Sequence, residues 1–347
     1  MGLDLQFRPF ELELEQPFES GDATITTREG FLIRAEFQGV VGIGEATPLP
    51  GWTESLEDCE RALQEAVDAA DDGSGAVLDA VEDTAAARHG VSLAISDCYA
   101  TRGARPLYQY LGDGSRVARV PVNSTVGDDD ADATAAAARD AVDRGFRSCK
   151  LKVGRRSVDE DVTRVERVRE AVGDDVEVRV DANGSWTFDE AVEAIRGLDE
   201  AGVSIVEQPL PAGALEGHAD LRGRGPKIAL DEGLLEHGVD AICEASAADV
   251  LILKPMALGG LDVAREVVTW TGELGLESLV TTTIDGVVAR TAAVHLAASM
   301  PDVPPCGLAT GELLKTDLGR DPVLFEKGAA VVPQAKGLGI DDVWGAT

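Results

Sequence analysis

Residues 149–154 read CKLKVG, and the fold is decided by how this stretch is read. Apolar residues alternate with lysine and stop at a glycine, which is the pattern of a short strand ending in a turn. Successive strand side chains point to opposite faces, so Lys150 and Lys152 share one face. Of the 31 basic residues in the chain only 7 are lysines. A chain so poor in lysine that places two of them at one strand end is using them for chemistry.

Similar segments recur on both sides of this stretch. Short apolar runs end near Thr125, Lys152, Asp181, Glu207, Asp231, Lys254, Thr282 and Gly307. Successive ends are separated by 23 to 29 residues, about the chain needed for a strand, a turn and a helix. Helical spacing fills the intervals, as in DADATAAAARDAVDRG (130–145) and DEAVEAIRGLDEAG (189–202). Eight such units argue for an α/β barrel of (β/α)8 type over an open doubly wound sheet. The eighth unit is irregular, because its strand carries Pro304 and Pro305.

Five successive units end in a charge, in the order Lys152, Asp181, Glu207, Asp231, Lys254. In a parallel barrel these ends share the rim where active sites lie. A single acidic residue after a strand is often the N-cap of the next helix. Capping does not select lysine, and it does not account for five consecutive units. Three converging carboxylates repel and raise one another's pKa unless a cation intervenes. The ligand set Asp181, Glu207 and Asp231 is all oxygen, which fits Mg2+, with Mn2+ as a substitute, and argues against zinc. His89, His218, His237 and His295 fall on helices or loops and read as structural. A lysine beside a divalent cation and a second ammonium loses basicity and can serve as a general base. Lys152 is the candidate base, Lys150 the neighbour that tunes it, and Lys254 approaches from the opposite side. A metal holding a substrate carboxylate between two lysines is an arrangement for removing the proton α to that carboxylate.

Residues 1–112 have a different pattern. FLIRAEFQGVVGIGEA (31–46) reads as an antiparallel hairpin, and helices follow at 55–70, with Ser55 as N-cap, and at 80–102. The expectation is an α+β capping domain over 1–112, a barrel over 113–320 and a strand-like tail over 321–347 that returns to the first domain. LGDGSR (111–116) marks the first boundary. The formal charge is −32 and 44% of residues are hydrophobic, so a large core is available while nucleic acid is excluded as a partner. Acidic charge spread along the whole chain suggests adaptation to high salt, where such density is screened. Circular dichroism across a salt series tests this, and a fold indifferent to low ionic strength would overturn it. Five scattered cysteines without a C-x-x-C fit a reducing compartment. The start MGLDLQFRPF lacks the pattern of a signal peptide, and no apolar run spans a membrane. The expected product is cytoplasmic, with oligomeric state left open, a homo-oligomer included.

The elements KLK, DAN, EQP, LDE and LKP, in this order and spacing, resemble the muconate-lactonizing subgroup of the enolase superfamily. The resemblance covers nearly the whole chain. It implies a (β/α)7β TIM-like barrel under an N-terminal α+β capping domain completed by the C-terminal tail. It also implies Asp181, Glu207 and Asp231 as Mg2+ ligands and Lys152 and Lys254 as acid–base lysines. Within the subgroup, TTREGFLIRAE (26–36), GIGEATPLPGWTESL (42–56), LVTTTIDG (279–286) and CGLATGELL (306–314) are most similar to o-succinylbenzoate synthases. Such enzymes act in menaquinone biosynthesis, and the small-molecule carboxylate substrate would meet Pro50, Thr282, Thr283 and Gly307. The run Thr281–Thr283 departs from the serines common among relatives. An N-acylamino acid racemase or dipeptide epimerase is the nearest rival. A muconate-lactonizing enzyme, a Schiff-base aldolase and a non-catalytic ligand-binding barrel are more distant.

Overall fold

In the computed structural model, which describes residues 3–20, 23–341 and 343–345, the N-terminal segment is a three-stranded antiparallel sheet. Its strands β1 (Asp4–Ser20), β2 (Ala23–Phe37) and β3 (Val40–Ala46) lie in that order. The expected hairpin is β2–β3, turned at Gln38–Gly39 with both residues at positive φ, the geometry that matches strand twist. β1 was not distinguished by sequence, because its apolar positions are interrupted by Pro9 and by a register shift after Glu13. The helix Ala85–Arg102 packs on this sheet at very short range. A Cβ on Gly44 would lie 1.9 Å from the Gly90 carbonyl oxygen, so only glycine permits the approach. Ser55 caps the helix Leu56–Asp68 by accepting from the Asp58 amide, as its sequence position suggested.

Seven parallel strands follow: β5 (Ser124–Val126), β6 (Ser148–Lys152), β7 (Glu177–Asp181), β8 (Val203–Glu207), β9 (Lys227–Leu230), β10 (Val250–Leu253) and β11 (Glu277–Val280). They are hydrogen-bonded in chain order, and helices intervene between successive strands. β4 (Arg119–Pro121) precedes them in a separate small sheet. The eighth position is held by single bridges, Val122 with Cys306 and Thr281 with Gly307. Pro304 and Pro305 supply no amide donors there, which explains the missing ladder. The result is a TIM-like (β/α)7β barrel with a capping domain. Along one face of the strands, Ile205, Ala229, Ile252 and Leu279 form an apolar cluster one pleat below the rim residues.

The tail forms the hairpin β12 (Leu324–Glu326) and β13 (Ala329–Val331), and β13 pairs with β4. Further on it meets the N-terminal segment. Leu338 donates its amide to Asp97 at 2.7 Å, and Arg8 lies over the Trp344 ring while donating to the Val343 carbonyl.

Two buried side chains, Glu45 and Arg28, fasten the cap to the barrel, each through its own partners. Glu45 accepts from the amides of Gly286 (2.7 Å) and Ala289 (2.9 Å) at the start of the helix Val287–Ser299, and from Thr47 Oγ1. That helix begins with glycine and has no capping side chain of its own, so Glu45 meets orphan amides across the domain junction. Arg28 donates to the carbonyls of Ile284, Pro48 and Thr47. Burial, reinforced by Asp285, pushes the Glu45 carboxyl up to about 7.

Candidate active site

The charged strand ends meet at the rim. The strands of Lys152 and Lys254 are separated by β7, β8 and β9, which carry the three acids at their ends. The lysines thus flank the carboxylates. Asp181, Glu207 and Asp231 are all buried. Helix capping does not explain them. After β6 and β7 that task falls to Ser157 and Thr187, each in a reciprocal box with a glutamate three residues on. Asp231 occupies an N-cap position but makes no capping bond.

Lys150 Nζ contacts Asp181 Oδ2 at 2.9 Å and Glu207 Oε1 at 2.9 Å. Lys152 Nζ reaches the same Asp181 oxygen at 2.7 Å and also Asn183 Oδ1 at 2.7 Å. Lys150, expected as the neighbour that tunes Lys152, is therefore shared between two acids, and the two lysines meet on one oxygen. On the far side Lys254 Nζ contacts Asp231 Oδ2 at 2.6 Å and sits 3.3 Å from the Trp52 ring centroid. Lys152 is 39% exposed and Lys254 only 12%.

The electrostatics follow the pairing. Burial would raise Asp181, but Lys150 and Lys152 hold it well below the usual carboxylate range. Glu207 is pushed up to about 8 by burial and by Asp181, against the pull of Lys150. Burial opposes the Lys150 charge, yet Asp181 and Glu207 together raise its pKa.

Among the described residues no three acidic, histidine or cysteine side chains are drawn together into a ready cage, since ammonium groups lie between them. The residues nevertheless fit a hard divalent cation. Three buried carboxylates end adjacent strands, and Asp231 Oδ1 is buried without a hydrogen-bond partner. That oxygen requires a cation or donor.

Three residues at the rim were not singled out from sequence. Asn183, at φ 44°, receives Lys152 while donating its amide to Asp181 Oδ1. Gln208, at φ 41° and fully buried, accepts the amides of Asp231 and Gly233 and so orients the start of the next helix. Both polar side chains tolerate the left-handed conformation after a strand, and both stood in the motifs DAN and EQP. Trp52 stood in the PLPGW loop, where its role depends on a domain contact that no local pattern encodes. Pro50, in the same loop, is exposed and bridges to Thr53. Thr282 Oγ1 pairs with Thr310 Oγ1 at 2.9 Å, whereas the Thr283 hydroxyl donates to Asp285. Gly307 lines a cavity of about 570 Å3 that also contacts Lys150, Glu207 and Thr281. His89, His218 and His295 are buried and His237 bonds a main-chain carbonyl, consistent with structural roles. All five cysteines are free.

A family model described as Enolase C-terminal domain-like matches residues 133–342. The chain belongs to the enolase superfamily. Among its curated relatives, the L-Ala-D/L-Glu epimerase of Bacillus subtilis is 30% identical over 94% of this chain and 93% of the relative. The o-succinylbenzoate synthase of Thermobifida fusca is 39% identical, over 61% of this chain and 66% of the relative. The dipeptide epimerase of Enterococcus faecalis, solved with Mg and the dipeptide L-Leu-L-Tyr, superposes with a TM-score of 0.85 at 27% identity, covering 98% of this chain and 99% of that one. These superfamily relatives are enzymes, and no helix among the described residues is long and apolar enough to cross a membrane.

Proposed function

We propose that this protein is an Mg2+-dependent o-succinylbenzoate synthase, dehydrating 2-succinyl-6-hydroxy-2,4-cyclohexadiene-1-carboxylate to 2-succinylbenzoate. Asp181, Glu207 and Asp231 would hold the metal, which supplies positive charge opposite the substrate carboxylate as its α-proton leaves. Lys152, in its neutral form, takes the proton from the α-carbon. The electron pair closes the ring double bond as the carbon–oxygen bond breaks. The lysine then returns its proton to the departing hydroxyl, so water leaves and the ring becomes aromatic. Asn183 and Asp181 orient Lys152 by hydrogen bonds. Lys254 stays an ammonium that faces the developing negative charge.

The observation that carries this reading is the unlike surroundings of the two lysines. Both lysines contact a carboxylate, but Lys152 is half open and bonded to the Asn183 side chain as well as to Asp181. Lys254 is enclosed between a carboxylate and an indole face, both partners for an ammonium. A dehydration in which one base both removes and returns the proton needs that asymmetry. Racemisation needs two lysines that trade protons on opposite faces. The long match to the Bacillus subtilis epimerase favours this second reading. Assay of the cyclohexadiene carboxylate with Mg2+ and with a chelator separates the two. Turnover that the chelator abolishes is expected. Absence of turnover, together with deuterium entering the α-position of L-Ala-L-Glu in heavy water, would hand the site to the epimerase.

A further inference from the structure

The cavity that touches Lys150 and Glu207 does not end at the reacting rim. It continues along the seam between β5 and the eighth position, where only isolated bridges join the two edges. At its other end it is lined by Arg144, Phe146, Phe325 and Lys327. Two facing glycines force this meeting. A Cβ on Gly145 would lie 2.7 Å from the Lys327 Cα, and one on Gly328 would lie 2.4 Å from the Gly145 oxygen. The β12–β13 turn is thereby pressed against the chain between the helix Ala131–Asp143 and β6, and Lys327 lines the same cavity as Arg144.

Neither cation has an acidic partner among the described residues, and Arg144 lies over the Phe146 ring at 5.4 Å. Glu312 and Asp321 also line this cavity, Asp321 already held by Arg290; in a chain with 63 acidic residues against 31 basic, two cations without acidic partners lining one cavity mark a place for an anion. A second feature points the same way from inside. Asn123 lines the same cavity and is 5% exposed, and its Nδ2 donor has no partner. A buried donor without an acceptor is costly unless a ligand or water supplies one.

We propose that the end of this cavity away from the proton-transfer rim is a binding site of its own, for a small carboxylate with an apolar body and an inner carbonyl. Arg144 and Lys327 take the carboxylate, Phe146 and Phe325 take the apolar body, and Asn123 Nδ2 donates to the carbonyl oxygen.

The probes are 4-oxo-4-phenylbutanoate and 4-phenylbutanoate, which differ only by the carbonyl, with binding followed by titration calorimetry of the full chain at fixed salt and with a chelator present, so that the rim carries no metal to hold a carboxylate. The keto acid binds more tightly to the unmodified protein. The double variant Arg144→Glu/Lys327→Glu loses at least tenfold in affinity for both acids while circular dichroism shows the fold intact. Asn123→Ala makes the two acids bind alike. Lys152→Ala leaves both affinities unchanged, so the result does not depend on which reaction the rim performs. Binding that survives the charge reversal, binding lost in Lys152→Ala alone, or no binding of either acid would overturn the proposal.

Discussion

The cap–barrel junction and the barrel rim both bury charge, and they handle it in opposite ways. At the junction, Glu45 and Arg28 meet mainly backbone groups, amides for the carboxylate and carbonyls for the guanidinium. At the rim, Lys150, Lys152, Lys254, Asp181, Glu207 and Asp231 meet one another, and Asp231 Oδ1 meets nothing. Backbone partners are fixed by the fold, so charge of the first kind is spent on structure. Side-chain partners can be exchanged for a metal or a substrate, so charge of the second kind is available for chemistry. Buried charge alone does not distinguish the two regions; the identity of the partners does.

The largest expected effect falls on the rim. Lys152→Ala removes the proposed base, and general acid–base groups are worth roughly 10²–10⁴-fold in rate. Turnover should fall by about 10³-fold or more, while the thermal midpoint stays within about 2 °C of the parent because the lysine is half exposed. A variant that keeps its rate, or that unfolds instead, would erase the contrast with the junction.

Glu45→Ala is the mirror experiment. It strands two buried helix amides, and each buried donor left without a partner costs about 1–3 kcal/mol. Urea unfolding should show a loss of about that size, and the molecules that remain folded should retain turnover within about tenfold. A loss of activity that greatly exceeds the loss of folded protein would mean that the junction also shapes the site.

Much of this architecture was legible from residues alone, and the reason is period. The charged residues at the ends of β6, β7 and β8, and those that follow β9 and β10, stand out because each closes an apolar run of a length only a strand would need. The Ser55 cap and the β2–β3 hairpin were legible for the same local reasons. What stayed hidden depends on contacts between distant segments. Trp52 gains its meaning only when the cap loop reaches Lys254. Glu45 reads as one more acidic residue on a strand until the helix Val287–Ser299 arrives without a cap. The β12–β13 hairpin looked destined for the first domain, yet it pairs first with β4, because three-residue strands carry too little pattern to name their partner.

The junction rule extends to histidine, where its effect is smallest and its sign most easily checked. His295 is fully buried, accepts the Tyr108 amide through Nδ1 at 3.2 Å and contacts the Leu338 oxygen through Nε2 at 3.1 Å. Those bonds define the neutral ring with its proton on Nε2. Burial pushes its pKa down from 6.5 to about 4, only partly offset by Leu338, and His218 is lowered to about 4 by burial as well. A depressed folded-state pKa contributes stability that is present above pH 6.5 and is lost as pH falls towards 4. Between pH 6.5 and 5, above the range where ordinary carboxylates titrate, His295 should cost the fold about 1–2 kcal/mol. Glu45 and Glu207, raised to about 7 and about 8, hold protons in the folded chain over the same window and push the other way, so the His295 contribution is read by urea unfolding at fixed salt as the difference between parent and variant, with His218 common to both. His295→Phe keeps a ring against Tyr108 but cannot bind the proton, so it should lose less stability than the parent in this window, its slope differing by up to one proton. Equal slopes in the parent and the variant would show that His295 titrates alike in the folded and unfolded chains, and its main-chain bonds would then not be holding it neutral.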